Sequence, residues 1–152
     1  MLSSITAPAI WDHLGTAGKR SVVVGVPPSF PLRPIDGARV GCFLTPDTVN
    51  GDYTYPPGLR YEIDDLVGEY PVDLRDFRTE DKARLKDETY AMTEKHFAVI
   101  RHLMVNEPWD YFQFVEIGLD RLQHGFWKFH DPNHVLYEPA NPFQHVVRDY
   151  YR

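Results

Sequence analysis

Residues 109–127 read WDYFQFVEIGLDRLQHGFW, and within them the chain changes from one kind of pattern to another. Residues 109–117 form a strongly apolar, aromatic run of strand length. Gly118 then allows a turn, and residues 120–129 return to the spacing of a helix. An apolar run followed directly by a turn and a helix is half of a strand–helix unit of an α/β protein. A second run, SVVVGV at residues 21–26, is β-branched and has no polar alternation. That is the pattern of a strand covered on both faces, as in a parallel sheet. Pro27 and Pro28 stop it.

Outward from these two runs the remaining elements fall into place. Residues 7–19 read as a short helix, with Pro8 near its first turn and Gly18 at its close. Residues 29–57 form a long connection rich in proline and glycine, with one strand candidate at 39–44; connections of that length usually cover a site or are insertions. A helix is expected at 58–67 and a short edge strand at 69–74. The clearest element is a helix over 79–106. Thr79 is placed to cap it, Glu80 and Asp81 put negative charge in its first turn, and Pro108 lies beyond its end. Leu85, Thr89, Met92, His96, Val99, Ile100 and Leu103 form a stripe at helical spacing along it. A last helix starts at Asn141-Pro142 and runs to Arg152. The expected class is therefore α/β, a three-layer architecture around a parallel sheet, although two convincing buried strands make a small sheet.

Composition narrows the function classes. The 152 residues hold 16 Lys+Arg against 22 Asp+Glu, a net charge of −6, with 43% hydrophobic and 25% charged residues. These are the proportions of a folded domain, and no basic footprint for nucleic acid is visible. The single cysteine, Cys42, allows neither an internal disulfide nor a paired-cysteine zinc site, and reads as buried and inert. No apolar run approaches the ~18–20 residues of a membrane span. Residues 1–8 lack the basic and apolar regions of a signal peptide, so the expected location is the cytoplasm. No membrane partner is expected, and nothing in the chain fixes an oligomeric state.

The candidate chemistry lies after the second strand. In open α/β folds ligands bind beyond the carboxyl ends of the strands. There Asp120 and His124 stand at i and i+4, one turn apart on the same helical face. A carboxylate and an imidazole so spaced can hold one divalent ion. The same pattern also arises from an acid favoured by the helix dipole and a histidine satisfied by hydrogen bonds. His130 and His134, in the following loop, can approach such an ion or stay solvated. His96 reads as a packed core residue and His102 as a surface one. No phosphate-binding glycine loop, nucleophile elbow or Cys–His pair appears, and Ser3, Ser4, Ser21 and Ser29 have no activating neighbour in sequence. Thr45-Pro46-Asp47-Thr48 is a turn or a substrate-facing bend. Tyr53, Tyr55, Phe126, Trp127 and Tyr137 either line a pocket or pack beneath loops.

Several segments taken together carry a resemblance that spacing does not. WDHLGTAGKRSVVVGVPPSFPLRPIDGARVGCFLTPDT, YTYPPGLRYEI, GEYPVDLRDFRTEDK and WDYFQFVEIGLDRLQHGFWKFHDP resemble the type I phosphodiesterase/nucleotide pyrophosphatase family of the alkaline phosphatase superfamily. The resemblance runs over nearly the whole chain. It implies an α/β/α sandwich, a phosphodiester or nucleotide pyrophosphate substrate, and two divalent ions, usually zinc. It places Asp120 and His124 on two metal-ligand positions. It also implies that the nucleophile and the remaining ligands stand outside these residues, since Thr45, Thr48 and Thr54 are not in the nucleophile's context. The expectation is then a central segment, residues 1–152, of a phosphodiesterase domain lacking its N- and C-terminal parts and inactive alone. A non-catalytic binding module on the same scaffold, or a truncated product without independent function, remains the alternative.

Overall fold

A computed structural model describes residues 7–152. The expectations for Ser3 and Ser4, and the leader reading over residues 1–6, lie outside the described residues. Among those described, four strands and five helices follow in the order α1 (Ile10–Thr16), β1 (Ser21–Val24), β2 (Gly37–Val40), β3 (Thr54–Tyr55), α2 (Leu59–Val67), α3 (Lys82–Asn106), β4 (Tyr111–Phe114), α4 (Gly118–His130) and α5 (Val146–Tyr150). The protein is a mixed α/β protein. Two compact units divide it, residues 1–72 with 95–115 and residues 73–94 with 116–152.

The first unit is built on a four-stranded sheet in the order β3-β2-β1-β4. β1 runs parallel to both β2 and β4, while β3 is antiparallel to β2, so the sheet is mixed rather than wholly parallel. All four residues of β1 are buried, as its unbroken β-branched run requires. The strand ends at Val24 instead of Val26 because Gly25 turns to φ +67° and a Cβ there would stand 2.7 Å from the Val115 carbonyl oxygen. Val22, Val24, Ala38 and Val40 meet Leu59 and Ile63 of α2 and Val99, Ile100 and Leu103 of α3 in one core.

Three strand expectations need correction. The strand at 39–44 is shifted to Gly37–Val40, and β3 was not anticipated. β4 is shorter than residues 109–117 and is half-buried, with Phe114 exposed. It lies at the sheet edge, where among the described residues one flank has no neighbouring strand, and Tyr111 and Gln113 bond to each other through their side chains at 2.8 Å. Trp109 stays outside it, its indole N–H donating to the Met104 carbonyl. Residues 69–74 form no strand. Pro71 has no N–H for a ladder, and side chains take the carbonyls instead: Lys95 that of Glu69, Thr48 that of Tyr70, His96 that of Pro71.

The second unit packs Leu85, Leu122, Phe126, Phe129, Val146 and Val147 together. α3 begins at Lys82, later than residue 79, because Asp81 is its cap: the Asp81 carboxylate accepts from the Arg84 N–H at 3.1 Å. Thr79 caps one step earlier, accepting from the Asp81 N–H. All seven stripe residues of α3 are buried, Leu85 in this unit's core and Val99, Ile100 and Leu103 in the other's. α5 is confined to Val146–Tyr150, and residues 141–145 turn before it, with Asn141 Oδ1 accepting from the Phe143 N–H. No described helix is long and apolar enough to cross a membrane.

Candidate metal centre

α4 opens at Gly118, with Asp120 in its first turn and Lys128 in its last, charges that suit the helix dipole at both ends. Its start is fastened by Glu116. One carboxylate oxygen accepts from the Gly118 N–H at 2.8 Å, and the other lies 3.2 Å from the Thr93 hydroxyl. Thr93 in turn stands 2.6 Å from the Tyr150 hydroxyl. Burial is the main reason the Tyr150 phenol is pushed up to about 12.

Helical spacing brings Asp120 and His124 together as expected. Asp120 Oδ2 lies 3.6 Å from His124 Nε2, and both side chains are about half exposed. Two donors at zinc-ligand distances and a tetrahedral angle stand roughly 3.3–3.5 Å apart. The pair therefore fits two positions on one ion. It fits no more than that: among the described residues no group of three His, Cys, Asp or Glu side chains is placed to hold a metal. His130 Nδ1 faces the Gln144 carbonyl, and His134 Nδ1 accepts from the Leu136 N–H. His96 is a core residue, as its place on the stripe predicts, and His102 lies beside Glu62.

The neighbour that the helical pattern did not single out is Arg121. Its Nη1 donates to Asp120 Oδ2 at 2.7 Å, the same oxygen that faces His124. Its Nε and Nη2 form a fork on the two carboxylate oxygens of Asp73, at 2.7 and 2.6 Å. The hydrogen bonds from Arg121 to Asp73 hold its guanidinium above its ordinary value, with burial opposing. The guanidinium lies over the Phe77 ring at 4.1 Å, and the His124 ring lies 6.0 Å from the same ring. Phe77 thus stands beside both Arg121 and His124, and Asp120 is held from one side by a cation. Arg121 was legible only as the next letter after Asp120. Asp73, 48 positions away, carried no local signal at all.

The other candidates resolve into structure. Cys42 is buried, and its sulfur accepts from the Ser29 N–H. Asp47 Oδ1 accepts from the N–H groups of Val49 and Asn50, so residues 45–48 lead into an Asx turn. Tyr53 and Phe126 are core residues, one in each unit. Geometry defines a mixed α/β protein with an exposed carboxylate–imidazole pair, backed by a guanidinium, on one helix. Comparison with family models, with curated proteins and with solved structures returned no match.

Proposed function

We propose that the chain supplies one half of a two-metal site in a hydrolase of phosphodiester or nucleotide pyrophosphate bonds, with Asp120 and His124 as ligands of one zinc ion. The observation that carries this reading is the 3.6 Å approach of Asp120 Oδ2 to His124 Nε2 on an accessible helix face. The resemblance of the segments around both residues to phosphodiesterases adds the reaction class. On this reading the sheet and helices belong to a three-layer alkaline-phosphatase-like sandwich, represented here in part. Bound zinc would supply Lewis acidity toward a phosphoryl oxygen. The residues of this chain contribute position: the helix fixes the spacing of the two donors, and Arg121, locked on Asp73, sets the orientation of the Asp120 carboxylate. Two ligands are fewer than the three a catalytic zinc takes from protein, so the remaining donors and the nucleophile come from outside these 152 residues.

A second reading is favoured by the 2.7 Å contact between Arg121 and Asp120. There the guanidinium is the permanent cation partner of Asp120, and the scaffold serves as a non-catalytic binding module. Zinc and manganese titration by calorimetry separates the two. Under the first reading the chain binds zinc, and Asp120→Ala or His124→Ala weakens binding at least tenfold. Zinc affinity unchanged in both variants would exclude the pair as ligands. In a chain extended at both ends, hydrolysis of bis-p-nitrophenyl phosphate must fall with Asp120→Ala. Efficient hydrolysis by the 152-residue chain alone would overturn the half-site.

A further inference from the structure

Alternation along β2 sends Ala38 and Val40 into the apolar core and Arg39 to the opposite face of the sheet. Arg39 is 3% exposed, so a fixed positive charge is buried there. Buried charges are as a rule paired and fully hydrogen-bonded, because an isolated one is costly to remove from water. Among the described residues Arg39 departs from that rule. Its Nη1 makes one long bond to the Arg33 carbonyl at 3.4 Å, and its Nε has no partner. The guanidinium lies over the Trp11 ring at 5.0 Å, which supplies attraction but no acceptor. Burial pulls the Arg39 guanidinium below its ordinary value, and Asp12 opposes this through its field, without a hydrogen bond. Residues 1–6, MLSSIT, contain no acid that could serve as its counter-charge.

The same guanidinium lines a cavity of about 130 Å³ whose walls include Trp11, Asp12, Pro28 and a second arginine, Arg33. A liquid water occupies about 30 Å³, so the space holds a few waters or one tetrahedral oxoanion. Two guanidinium groups and one carboxylate thus line the cavity. An acceptor-rich anion would supply the counter-charge that Arg39 lacks, and its lone pairs match the planar fork that a guanidinium presents.

We propose that Arg39 and Arg33 bind a small oxoanion, the phosphate or carboxylate group of a ligand, in the cavity beside Trp11. This site is separate in sequence and in compact unit from Asp120 and His124, and it stands whether or not those residues hold a metal.

Trp11 makes the site observable. Titration of the 152-residue chain with sodium phosphate, and separately with sodium acetate, at ionic strength held constant with sodium chloride, is expected to give a saturable change in tryptophan emission for at least one anion. Saturation by phosphate alone assigns a phosphate group, and saturation by acetate alone assigns a carboxylate. Trp11→Phe is expected to abolish the emission change while the anion still raises the Tm. Arg39→Gln is expected to weaken binding at least tenfold. Arg33 and Asp12 are both exposed, and the amide oxygen of an Asn at position 12 can still accept from the Ala9 N–H, so these variants keep the test open should Arg39→Gln not fold. Arg33→Gln is expected to weaken binding at least threefold, and Asp12→Asn, which removes the opposing charge, to tighten it. No saturable response to either anion in the unaltered chain would overturn the proposal. So would an affinity unmoved by both Arg33→Gln and Asp12→Asn.

Discussion

Arg121 joins more of its surroundings than any other side chain near the candidate centre, through a fork to Asp73, one bond to Asp120 and a face on Phe77. Removing it leaves the Asp73 carboxylate, only 21% exposed, without its fork. Arg121→Met should therefore lower stability by about 2–4 kcal/mol, toward the loss seen when one member of a largely buried pair is deleted. A urea unfolding midpoint shifted by less than the equivalent of ~0.5 kcal/mol would show the fork to be dispensable, as exposed pairs are. Tyr150 gives a pH dependence. Its folded value, about 12, lies above the ordinary phenol value near 10, so its neutral form is favoured by folding. The stability it contributes is complete below pH ~10 and is lost as pH rises toward the folded value. Tyr150→Phe should flatten that alkaline loss in urea unfolding, at a cost of about 1 kcal/mol at neutral pH for the lost bond to Thr93. At this scale the sequence told only what helical periodicity can tell. Asp120 and His124 are four apart, and a helix must bring them together. Arg121, Asp73 and Phe77 meet through tertiary packing, which leaves no period to read.

Elements were legible where one periodicity dominated. Seven stripe residues of α3 are buried because a regular helix of 25 residues cannot bury them in any other phase. The strands were harder to delimit. Their ends are decided by single backbone events: the positive φ of Gly25, the edge position of β4, the side chains that capture the carbonyls of residues 69–71. Gly37 is another such point. It opens β2 at φ +132°, paired with Ser21, and a Cβ there would run into the Ser21 carbonyl oxygen. Gly37→Ala should destabilise the β1–β2 pairing by about 1–3 kcal/mol, from the backbone strain alone, and more if the strands must part. Hydrogen exchange of the β1 and β2 amides checks this, and protection equal to that of the unaltered chain would contradict it.

Two apolar cores, each inside its own compact unit, organise the whole chain. Phe126 is completely buried, packs on Phe129 and Phe143, and belongs to the second core. Phe126→Ala should cost about 3–5 kcal/mol. If the cores open separately, exchange should quicken first in α4 and α5 while the amides of Val22, Val23 and Val24 stay protected. Equal acceleration in both would show a single cooperative body. The sheet carries a further consequence, one of timing. β1 takes its partner on one side from β2, which follows it closely, but Ser21 pairs on the other side with Tyr111, ninety residues later in the chain. Closing so long a loop is entropically slow. At ribosomal speeds of roughly 5–20 residues per second, β1 waits on the order of 5–20 s after its own synthesis before β4 exists to pair with it. During that interval its flank is an open template for any other extended segment, so for a nascent chain of this protein the β1 edge is the place where a chaperone would matter most.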